Sequence, residues 1–442
     1  MSVKIIEFTE YEEKSKYDED INSFLKNESI NFEGQPKGGD YRNPSKPKYL
    51  AIENFQDKLK AFYYIGACWL KQNEFAAIVT PHLKNIDFVK MFCVALGNRT
   101  ARSEFEKFYS IYLNEPEIEV EGFDTILTPL LIIHFLSLVE SITKSGLKKE
   151  YIYKSENLDL KIKGHISFTK HIRKNISCKR EDRIYCNYRD YTVDTLENRL
   201  LKKTLLFIKK ALVFYPRLSE KLKTKVDIQL ALFNDVSDTV EIFEIKNMKY
   251  NKMYRNYSSA IKLAKMILKH FGYSVNNIGN KHSVPPFWID MPRLYEVFVL
   301  SRLERKYKNL IEYQVAGYYQ YVDYVKIDEK LIIDAKYKPR YQNSNARIIE
   351  DIREISAYSR DNKIKNFIQE KSGHRIQPNE QLKCVIIFPK NNLEKDNECI
   401  DDLILDFEET KDNFDNLPCL TESAIKHFDG FYKVAIDLPT IK

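Results

Sequence analysis

Two short β-rich runs between Tyr319 and Lys338 carry the side chains most able to do chemistry. Their sequence, YQYVDYVKIDEKLIIDAKYK, places Asp328-Glu329 between the runs, which predicts a hairpin. If these two residues form the loop, counting back along both strands places Asp323 directly opposite Asp334. Strand alternation then places Lys336 on the same face as Asp334. Two carboxylates so close destabilise a sheet unless a cation lies between them.

Two carboxylates and an amine at one place suit metal-dependent hydrolysis of a phosphodiester. Asp323 and Asp334 offer the hard oxygen ligands that Mg²⁺, or Mn²⁺ in its place, prefers. Such a metal polarises the phosphoryl group and lowers the pKa of bound water. Lys336 can position that water and stabilise the charge that develops in the transition state. A lone D-x-K is common in surface hairpins, but its pairing with a second aspartate after the apolar LII run favours a catalytic site.

Helices on both sides of the hairpin add further candidates. In FWIDMPRLYEVFVLSRLERKY, Asp290 can cap a helix and Pro292 can occupy its first turn. Glu296 lies among the apolar positions of that helix and could add a third ligand to the metal, although a helical glutamate is more commonly an exposed residue. Downstream, DIREISAYSRD is helical in pattern and places Tyr358 four residues after Glu354, on the same face. That tyrosine could reach DNA or pack in the core.

The elements that must position these residues indicate an α/β (α+β) fold. Helix, hairpin, helix and a buried strand at Cys384–Phe388 follow one another, which is an α/β order. Because 442 residues are too many for one compact core, we predict two regions: residues 1–250, of mixed α and β structure, and residues 251–442, a nuclease domain. In the first region we expect helices at 54–73, 124–143 and 196–214 and strands within 158–191. In the second we expect a helix at 257–271 that stops at Gly272.

Composition narrows the class of protein. A hydrophobic content of 43%, with 13% aromatic residues, excludes a largely disordered chain. No run approaches the roughly 18 uninterrupted apolar residues of a membrane span, and the N-terminus turns acidic at once, unlike a secretory signal. Seven cysteines are scattered without a CxxC pair, which argues against a zinc ribbon. We therefore expect a reduced, cytoplasmic protein without a membrane.

Charge is unevenly distributed along the chain. Lys161–Arg180 contains seven basic residues and no acidic one, whereas residues 391–416 contain ten acids and two lysines. A basic segment in a balanced chain suggests a phosphate-binding face, although a solvated surface is the equally common alternative. Lys170, Arg173 and Lys174 are its candidate binding residues for DNA or a partner. Residues 34–48, rich in Gly, Pro and Lys, indicate a flexible junction or long surface loop.

The order of several motifs resembles the McrC family, the nuclease subunit of modification-dependent McrBC restriction systems. DMPRLYEVFV, YVDYV, LIIDAKYK and DIREISAY occur in the family's order. FAAIVTPHLKN, LKIKGHISFTKHIRKNI and NYRDYTVDTLENRLLKKTL resemble the family's early strand, central stretch and Asn-Arg-Leu-Leu-Lys segment. The resemblance therefore extends from about residue 75 to the C-terminus. Residues 1–48 have no counterpart that we can identify.

The resemblance implies a fold, a site and a partner. The fold would be a restriction-endonuclease-like PD-(D/E)xK domain, with a mixed sheet flanked by helices, behind a mixed α+β N-terminal region. The family pattern assigns metal-binding carboxylates to Glu296, Asp323 and Asp334 and the lysine to Lys336. Val322 replaces a proline, which the family tolerates, and Glu354 replaces a glutamine, so we leave Glu354 outside the site.

In such systems the McrC-like subunit binds a hexameric AAA+ GTPase of the McrB type, stimulates its hydrolysis of GTP and cuts modified double-stranded DNA. The N-terminal part contacts the motor, and Lys161–Arg180 is the candidate for the segment that enters the pore of the ring. Consistent with a subunit role, the chain has no G-x-x-x-x-G-K-[ST] loop of its own.

Three other functions fit parts of the sequence. A stand-alone restriction or repair nuclease of the same fold would cut without a partner or nucleotide. A catalytically inactive adaptor would only activate an NTPase, but the presence of Asp323, Asp334 and Lys336 argues against it. A nucleic-acid-binding module without enzymatic activity would need only the basic segment.

Overall fold

A computed structural model describes most of the chain. The described residues are 3–14, 53–55, 58–83, 85–95, 107–112, 115–120, 124–214, 216–240, 255–274, 283–338, 345–377, 379–390, 419–421, 423–425 and 427–440. The predicted junction at residues 34–48 and the acidic stretch at 391–416 lie outside them. The prediction of a flexible junction or long surface loop at residues 34–48 is therefore untested.

The chain forms two compact units. One comprises Met1–Leu130 together with Asn280–Lys442, and the other comprises Leu131–Gly279. The boundaries of these units differ from the predicted boundary at residue 250. The first and last thirds of the chain belong to one unit because a strand at Phe287–Asp290 pairs within the N-terminal sheet. The functional division between residues 1–250 and 251–442 stays a prediction.

Helices and strands are mixed along the whole chain. The first part contains β1 Lys4–Thr9, β2 Glu13–Lys14, β3 Glu53–Phe55, β4 Lys58–Lys60, β5 Tyr64–Lys71, β6 Phe75–Thr80, α1 Phe88–Ala95, β7 Tyr109–Ile111, β8 Ile118–Glu119 and α2 Asp124–Ser145. The second part contains β9 Glu150–Asp159, β10 His165–Ile166, α3 Phe168–Lys174, β11 Arg183–Thr192, α4 Leu196–Ala211, α5 Pro216–Leu232 and α6 Arg255–Ser274. The last part contains β12 Ser283–Val284, β13 Phe287–Asp290, α7 Met291–Tyr307, β14 Ile311–Ala316, β15 Tyr321–Lys326, β16 Leu331–Ala335, α8 Asn345–Arg360, α9 Asn362–Ser372, β17 Lys383–Pro389 and β18 Phe431–Ile436.

The N-terminal sheet has the strand order β1-β6-β5-β13-β7. The predicted helix at 54–73 is wrong, because these residues form β3, β4 and β5. Short apolar runs such as YIGACWL do not distinguish a helix from a buried strand by periodicity alone. Because residues 64–71 pair with β6 and β13, they form a strand and not a helix. At Gly66, where φ is +143°, a Cβ atom would lie 2.2 Å from the carbonyl oxygen of Phe287, so only glycine permits this approach.

Helix α2 confirms the helix predicted at 124–143. Within the described residues it contains the one span, Ile126–Ser145, that is long and apolar enough to cross a membrane by length and composition. Of this window, 72% is buried inside the protein, which is the behaviour of a core helix in a soluble protein.

The second unit is built on the antiparallel pair β9–β11, with the short β10 at its edge. The strands expected within 158–191 are present, but α3 lies between β10 and β11. Helix α4 confirms the prediction for 196–214, and Thr195 caps it by accepting a hydrogen bond from the backbone N–H of Asn198 at 3.4 Å. Helix α6 continues through Gly272 to Ser274, so the predicted stop at the glycine is wrong.

The C-terminal sheet has the strand order β14-β15-β16-β17-β18 and is mixed. Strands β14, β15 and β16 are antiparallel, whereas β16, β17 and β18 are parallel. Helices α7, α8 and α9 contact this sheet. One core cluster joins Ile332 and Ile386 of the sheet to Ile355 of α8 and Ile364 of α9. The predicted mixture of α and β structure, with a mixed sheet beside helices, is confirmed.

Candidate active site

The predicted hairpin register agrees with the structure. Strand β15 pairs with β16 through Tyr324–Ile333, Val325–Ile332 and Lys326–Leu331. Continuation of this register places Asp323 opposite Asp334. The backbone N–H of Ala335 donates to Oδ2 of Asp323 at 2.9 Å, so the side chain of Asp323 reaches across to β16. The hairpin therefore brings the two predicted carboxylates to one end of the strand pair.

Lys336 follows β16 and lies between two carboxylates. Its Nζ is 3.0 Å from Oδ2 of Asp334 and 2.9 Å from Oε2 of Glu354. Its backbone N–H donates to the carbonyl oxygen of Ile387 at 2.8 Å, which ties the residue to the end of β17. The side chain is 17% exposed. The amine therefore lies beside the Asp334 carboxylate, as the D-x-K spacing predicts.

Glu354 lies outside the predicted site, but the structure places it in contact with Lys336. The other oxygen of Glu354, Oε1, accepts a hydrogen bond from the hydroxyl of Tyr358 at 3.2 Å. Tyr358 is buried, and its ring belongs to the core cluster beneath the sheet. The i,i+4 spacing that the sequence displays thus joins the two residues, and helix α8 delivers Glu354 to the lysine.

Glu296 is presented by α7, whose start agrees with the prediction. The side chain of Asp290 accepts from the backbone N–H of Arg293 at 3.1 Å, and Pro292 lies in the first turn. The carboxylate of Glu296 accepts a hydrogen bond from the side-chain amide of Gln314. The hydroxyl of Tyr324 donates to the backbone carbonyl oxygen of Glu296 at 2.5 Å, which fixes this turn of α7 against β15.

Gln314 is a residue of this site that sequence reasoning missed. The β14–β15 register pairs Tyr313 with Tyr324 and Val315 with Val322, so Gln314 lies between these pairs, level with Asp323. Its backbone has φ +52°, in the left-handed region that non-glycine residues rarely adopt. Counting back from the turn at 317–320 would have located this position in the sequence.

Burial and like charges perturb the ionisation of the acidic groups. Burial raises the pKa of Asp323 well above its ordinary value, and the charges of Glu296 and Asp334 raise it further. Burial likewise raises the pKa of Glu296 to about 7. It also raises the pKa of Asp334, although the charge of Lys336 opposes this shift. The charges of both other carboxylates thus act on Asp323, which makes a cation bound beside it favourable.

The pKa of the lysine is also raised, which for an amine favours the charged form. Burial by itself would lower the pKa of Lys336, but the charges of Asp334, Glu354 and Asp323 raise it above its ordinary value. The amine therefore remains protonated throughout the physiological range. It can stabilise negative charge and donate hydrogen bonds.

The donor set of the site fits a hard cation held by two carboxylates. Oδ2 of Asp334 is buried and forms an ion pair with Nζ of Lys336 at 3.0 Å. Mg²⁺ commonly takes one or two protein carboxylates and completes its shell with water and phosphate. Within the described residues, however, no group of three or more His, Cys, Asp or Glu side chains is arranged to hold a metal. A metal contact for Glu296 therefore stays a prediction.

Lys170, Arg173 and Lys174 belong to the second unit, on the exposed helix α3. Nζ of Lys170 donates to Oγ of Ser155 at 2.9 Å and lies 5.2 Å from the ring centroid of Tyr185. Nζ of Lys174 lies 5.4 Å from the same ring. The structure places these cations on one short helix, and their predicted binding role is untested.

The chain is similar to known components of one restriction system. The family model described as McrBC 5-methylcytosine restriction system component matches residues 64–365. No significant match is found among curated proteins. A solved half-complex from a tetradecameric assembly of Thermococcus gammatolerans McrB AAA+ hexamers with bound McrC matches with 16% identity and a TM-score of 0.38, over 99% of this chain and 95% of that chain. A cryo-EM structure of the Thermococcus gammatolerans McrBC complex matches with 15% identity and a TM-score of 0.30, over 68% of this chain and 88% of that chain.

Proposed function

The chain belongs to the family of McrBC 5-methylcytosine restriction system components, and we propose that within such a system it is the McrC-type subunit that cuts DNA. The motifs resemble the McrC family, and the match to the McrBC component family confirms this resemblance. The motifs predict an extent from about residue 75 to the C-terminus, whereas the match covers residues 64–365. The matched region includes Glu296, Asp323, Asp334 and Lys336.

One observation carries the proposal of a nuclease. The mixed sheet places Asp323 and Asp334 on adjacent strands, with Lys336 3.0 Å from Asp334. Carboxylates beside a protonated amine match the needs of phosphodiester hydrolysis, in which negative charge develops on the transferred phosphoryl group. The mixed sheet, with helix α7 and its Glu296 packed against it, further supports a restriction-endonuclease-like PD-(D/E)xK fold.

We assign Asp323 and Asp334 as the residues that would hold Mg²⁺ or Mn²⁺. When bound, such a cation polarises the phosphoryl oxygens and lowers the pKa of a water molecule. Oδ2 of Asp334 is buried and lies 3.0 Å from Nζ of Lys336, so a bound cation would share this carboxylate with the amine. The backbone N–H of Ala335 holds the other carboxylate in place through Oδ2 of Asp323.

Lys336 would position the attacking water and stabilise the negative charge that develops in the transition state. Its amine is oriented by Asp334 on one side and Glu354 on the other, at 3.0 and 2.9 Å. Tyr358, through its hydroxyl contact with Glu354, keeps that second carboxylate on the lysine. Two anchors leave the amine little rotational freedom, so it is preorganised for the reaction.

We propose that an AAA+ GTPase of the McrB type, assembled as a hexamer, is the partner and that this chain stimulates its nucleotide hydrolysis. The exposed segment Lys161–Arg180 of the second unit is the candidate contact. It combines seven basic residues with exposed apolar side chains, among them Phe168, at 69% exposure, and Ile172, at 50%. Exposed apolar groups beside cations are typical of a surface that binds another macromolecule. A cytoplasmic location is part of the same proposal.

A mixing experiment tests this function. Labelled duplex DNA carrying 5-methylcytosine is incubated with this chain, Mg²⁺, the AAA+ protein of the same system and GTP, and each component is omitted in turn. We expect cleavage only in the complete mixture, since an unregulated nuclease would damage its own host. We also expect faster GTP hydrolysis by the AAA+ protein when this chain is present.

The other outcomes identify the competing functions. Strong cleavage by the isolated chain would show a stand-alone restriction or repair nuclease. Stimulated GTP hydrolysis without cleavage would show an adaptor. DNA binding with neither activity would show a simple nucleic-acid-binding module.

A further inference from the structure

The segment that carries Lys336 lies just beyond the regular part of its strand. Strand β16 ends at Ala335, so residues 336–338 must be held largely by other contacts. Helix α8 contacts this segment through two ion pairs of 2.9 Å, Lys336–Glu354 and Lys338–Asp351. Side-chain contacts therefore contribute to the position of the proposed catalytic amine.

Tyr337, which lies between these two lysines in the sequence, is buried and contacts the N-terminal part of the same unit. Its hydroxyl donates a hydrogen bond to Oε2 of Glu10 at 3.2 Å. The centroid of its ring lies 5.8 Å from that of Tyr295, the residue that directly precedes Glu296 in α7. Residues adjacent to two predicted site residues thus pack on one another, and Glu10 contacts this pair through a hydroxyl group.

Glu10 is itself fixed in position. It directly follows β1, and its backbone N–H donates to the carbonyl oxygen of Thr80 at 3.0 Å, which ties it to β6. The backbone N–H of His82 donates to the same Oε2 at 2.8 Å. The side chain is 2% exposed. Because hydrogen bonds are stronger in a buried, low-dielectric environment than in water, this oxygen is a firm acceptor for the hydroxyl of Tyr337.

The presence of an acid at this place favours a role beyond packing. Burial raises the pKa of Glu10 to about 8, which shows that the environment opposes its ionisation. An apolar side chain would fill the same space without the cost of burying a carboxyl group. Buried acids with displaced pKa values are concentrated at functional sites, and this one contacts the residue that follows Lys336.

We propose that Glu10 is a positioning residue of the nuclease: through the hydroxyl of Tyr337 it holds the segment that carries Lys336, so that the amine stays on the carboxylate of Asp334. The inference rests on the proposed nuclease function. Glu10 acts through Tyr337 and takes no part in the chemistry itself. A misplacement of about 1 Å can slow a reaction about 100-fold, so loss of this support should lower the cleavage rate and leave DNA binding unchanged.

Cleavage by the full-length chain in the complete mixture with the AAA+ protein, GTP and Mg²⁺ tests the proposal. Single-turnover rate constants at saturating protein are compared among the wild type, Glu10→Ala, Glu10→Gln, Tyr337→Phe and the double variant Glu10→Ala/Tyr337→Phe. Phe8→Leu is the matched control. Phe8 is buried in the strand that Glu10 follows, and it belongs to the core cluster of the N-terminal sheet.

We expect Glu10→Ala and Tyr337→Phe each to lower the rate constant by roughly 10- to 100-fold. DNA affinity and the stimulation of GTP hydrolysis should stay at wild-type values, since a displaced lysine does not affect assembly. Glu10→Gln and Phe8→Leu should cut as the wild type does, because the glutamine carbonyl oxygen can accept both hydrogen bonds. The double variant should fall within about twofold of Glu10→Ala, since both changes break the same contact.

A spectroscopic readout on the isolated chain tests the contact without any cleavage. 3-Fluorotyrosine in place of Tyr337 gives one fluorine resonance, whose chemical shift responds to the hydrogen bond of the adjacent hydroxyl. This shift should change in Glu10→Ala and remain at the wild-type value in Glu10→Gln and Phe8→Leu. An unchanged shift in Glu10→Ala would contradict the contact on which the inference depends.

Wild-type cleavage by a folded Glu10→Ala or Tyr337→Phe chain would overturn the inference and leave the nuclease proposal intact. If Glu10→Ala does not fold, Tyr337→Phe, which keeps the ring, decides by itself. An equal loss in Phe8→Leu would assign the effect to general destabilisation, and an equal loss in Glu10→Gln would exclude the role of hydrogen-bond acceptor. No cleavage by the wild-type chain in the complete mixture would refute the nuclease proposal and this inference with it.

Discussion

Gln314 holds the carboxylate of Glu296 through its side-chain amide while its own backbone adopts φ +52°. A left-handed backbone costs a non-glycine residue about 1–2 kcal/mol, and strained residues of this kind cluster at functional sites. The same residue lies level with Asp323 across the β14–β15 pair. One strained position thus binds the glutamate of α7 and lies level with the first aspartate of the hairpin.

Replacement of Gln314 should separate stability from activity. Gln314→Gly relieves the backbone strain but removes the amide, so we expect an unchanged or higher unfolding temperature and at least a tenfold loss of cleavage. Gln314→Asn tolerates the left-handed backbone and keeps an amide on a shorter side chain, so its activity should be intermediate. Thermal unfolding and cleavage rates of the two variants provide the measurement. Full activity in the glycine variant would show that the amide positions nothing of catalytic value.

Loss of the central carboxylate or the amine should abolish cleavage without unfolding the protein. Asp334→Asn and Lys336→Ala remove groups that act on the phosphoryl transfer and contribute little apolar packing. Because Asp334 is buried beside other acids, Asp334→Asn should keep or raise the unfolding temperature in metal-free buffer. Glu380→Gln, which breaks a partly exposed ion pair with Lys330 in the same unit, is the control and should cut normally. Retention of full Mg²⁺-dependent cleavage by Asp334→Asn would exclude our assignment of the site.

Charge reversal on α3 should weaken binding to the AAA+ partner or to DNA and leave the catalytic residues intact. In Lys170→Glu/Arg173→Glu/Lys174→Glu, we expect weaker stimulation of the AAA+ partner or weaker DNA binding, with a smaller salt dependence. The two lysines whose cation–π interactions with Tyr185 this variant removes are exposed, so the effect on stability should be about 0.5–1 kcal/mol or less. Lys223→Glu/Lys225→Glu, on exposed positions of α5 in the same unit, is the comparison. If both variants behave as the wild type across a salt titration, α3 is an ordinary solvated surface.

Glu10 should make stability depend on pH. Burial raises its pKa from 4.5 to about 8, while its Oε2 accepts from the backbone N–H of His82 at 2.8 Å and the hydroxyl of Tyr337 at 3.2 Å. The folded state therefore binds this proton more tightly than the unfolded state does. Stability from this group is fully present below about pH 4.5 and is lost as pH rises towards 8, by at most about 1.4 kcal/mol per pH unit.

Glu10→Gln removes that titration. Between pH 5 and 8 the variant should lose less stability than the wild type, and at pH 8 it should be the more stable of the two. Denaturant unfolding at several pH values measures the difference. Parallel stability curves for the two proteins would show that Glu10 does not titrate in this range.

Local rules in the sequence determined the hairpin and the helix starts. The Asp328-Glu329 turn and the alternation of side chains were sufficient to place Asp323 opposite Asp334 with Lys336 beside it, because strand register follows from turn length and a period of two. The cap at Asp290 and the proline after it likewise determined the start of α7. Both predictions depend only on neighbours within about fifteen residues, so a single sequence contains the information.

Tertiary packing decided the remainder. The run at 64–71 became a strand because β6 and β13 flank it, and β13 lies more than two hundred residues away. The contact of Glu354 with Lys336, the hold of Gln314 on Glu296 and the burial of Glu10 against Tyr337 all depend on where helices and loops pack on a sheet. That placement is set by the shape of the whole core and by pairings between distant segments, which no local periodicity encodes.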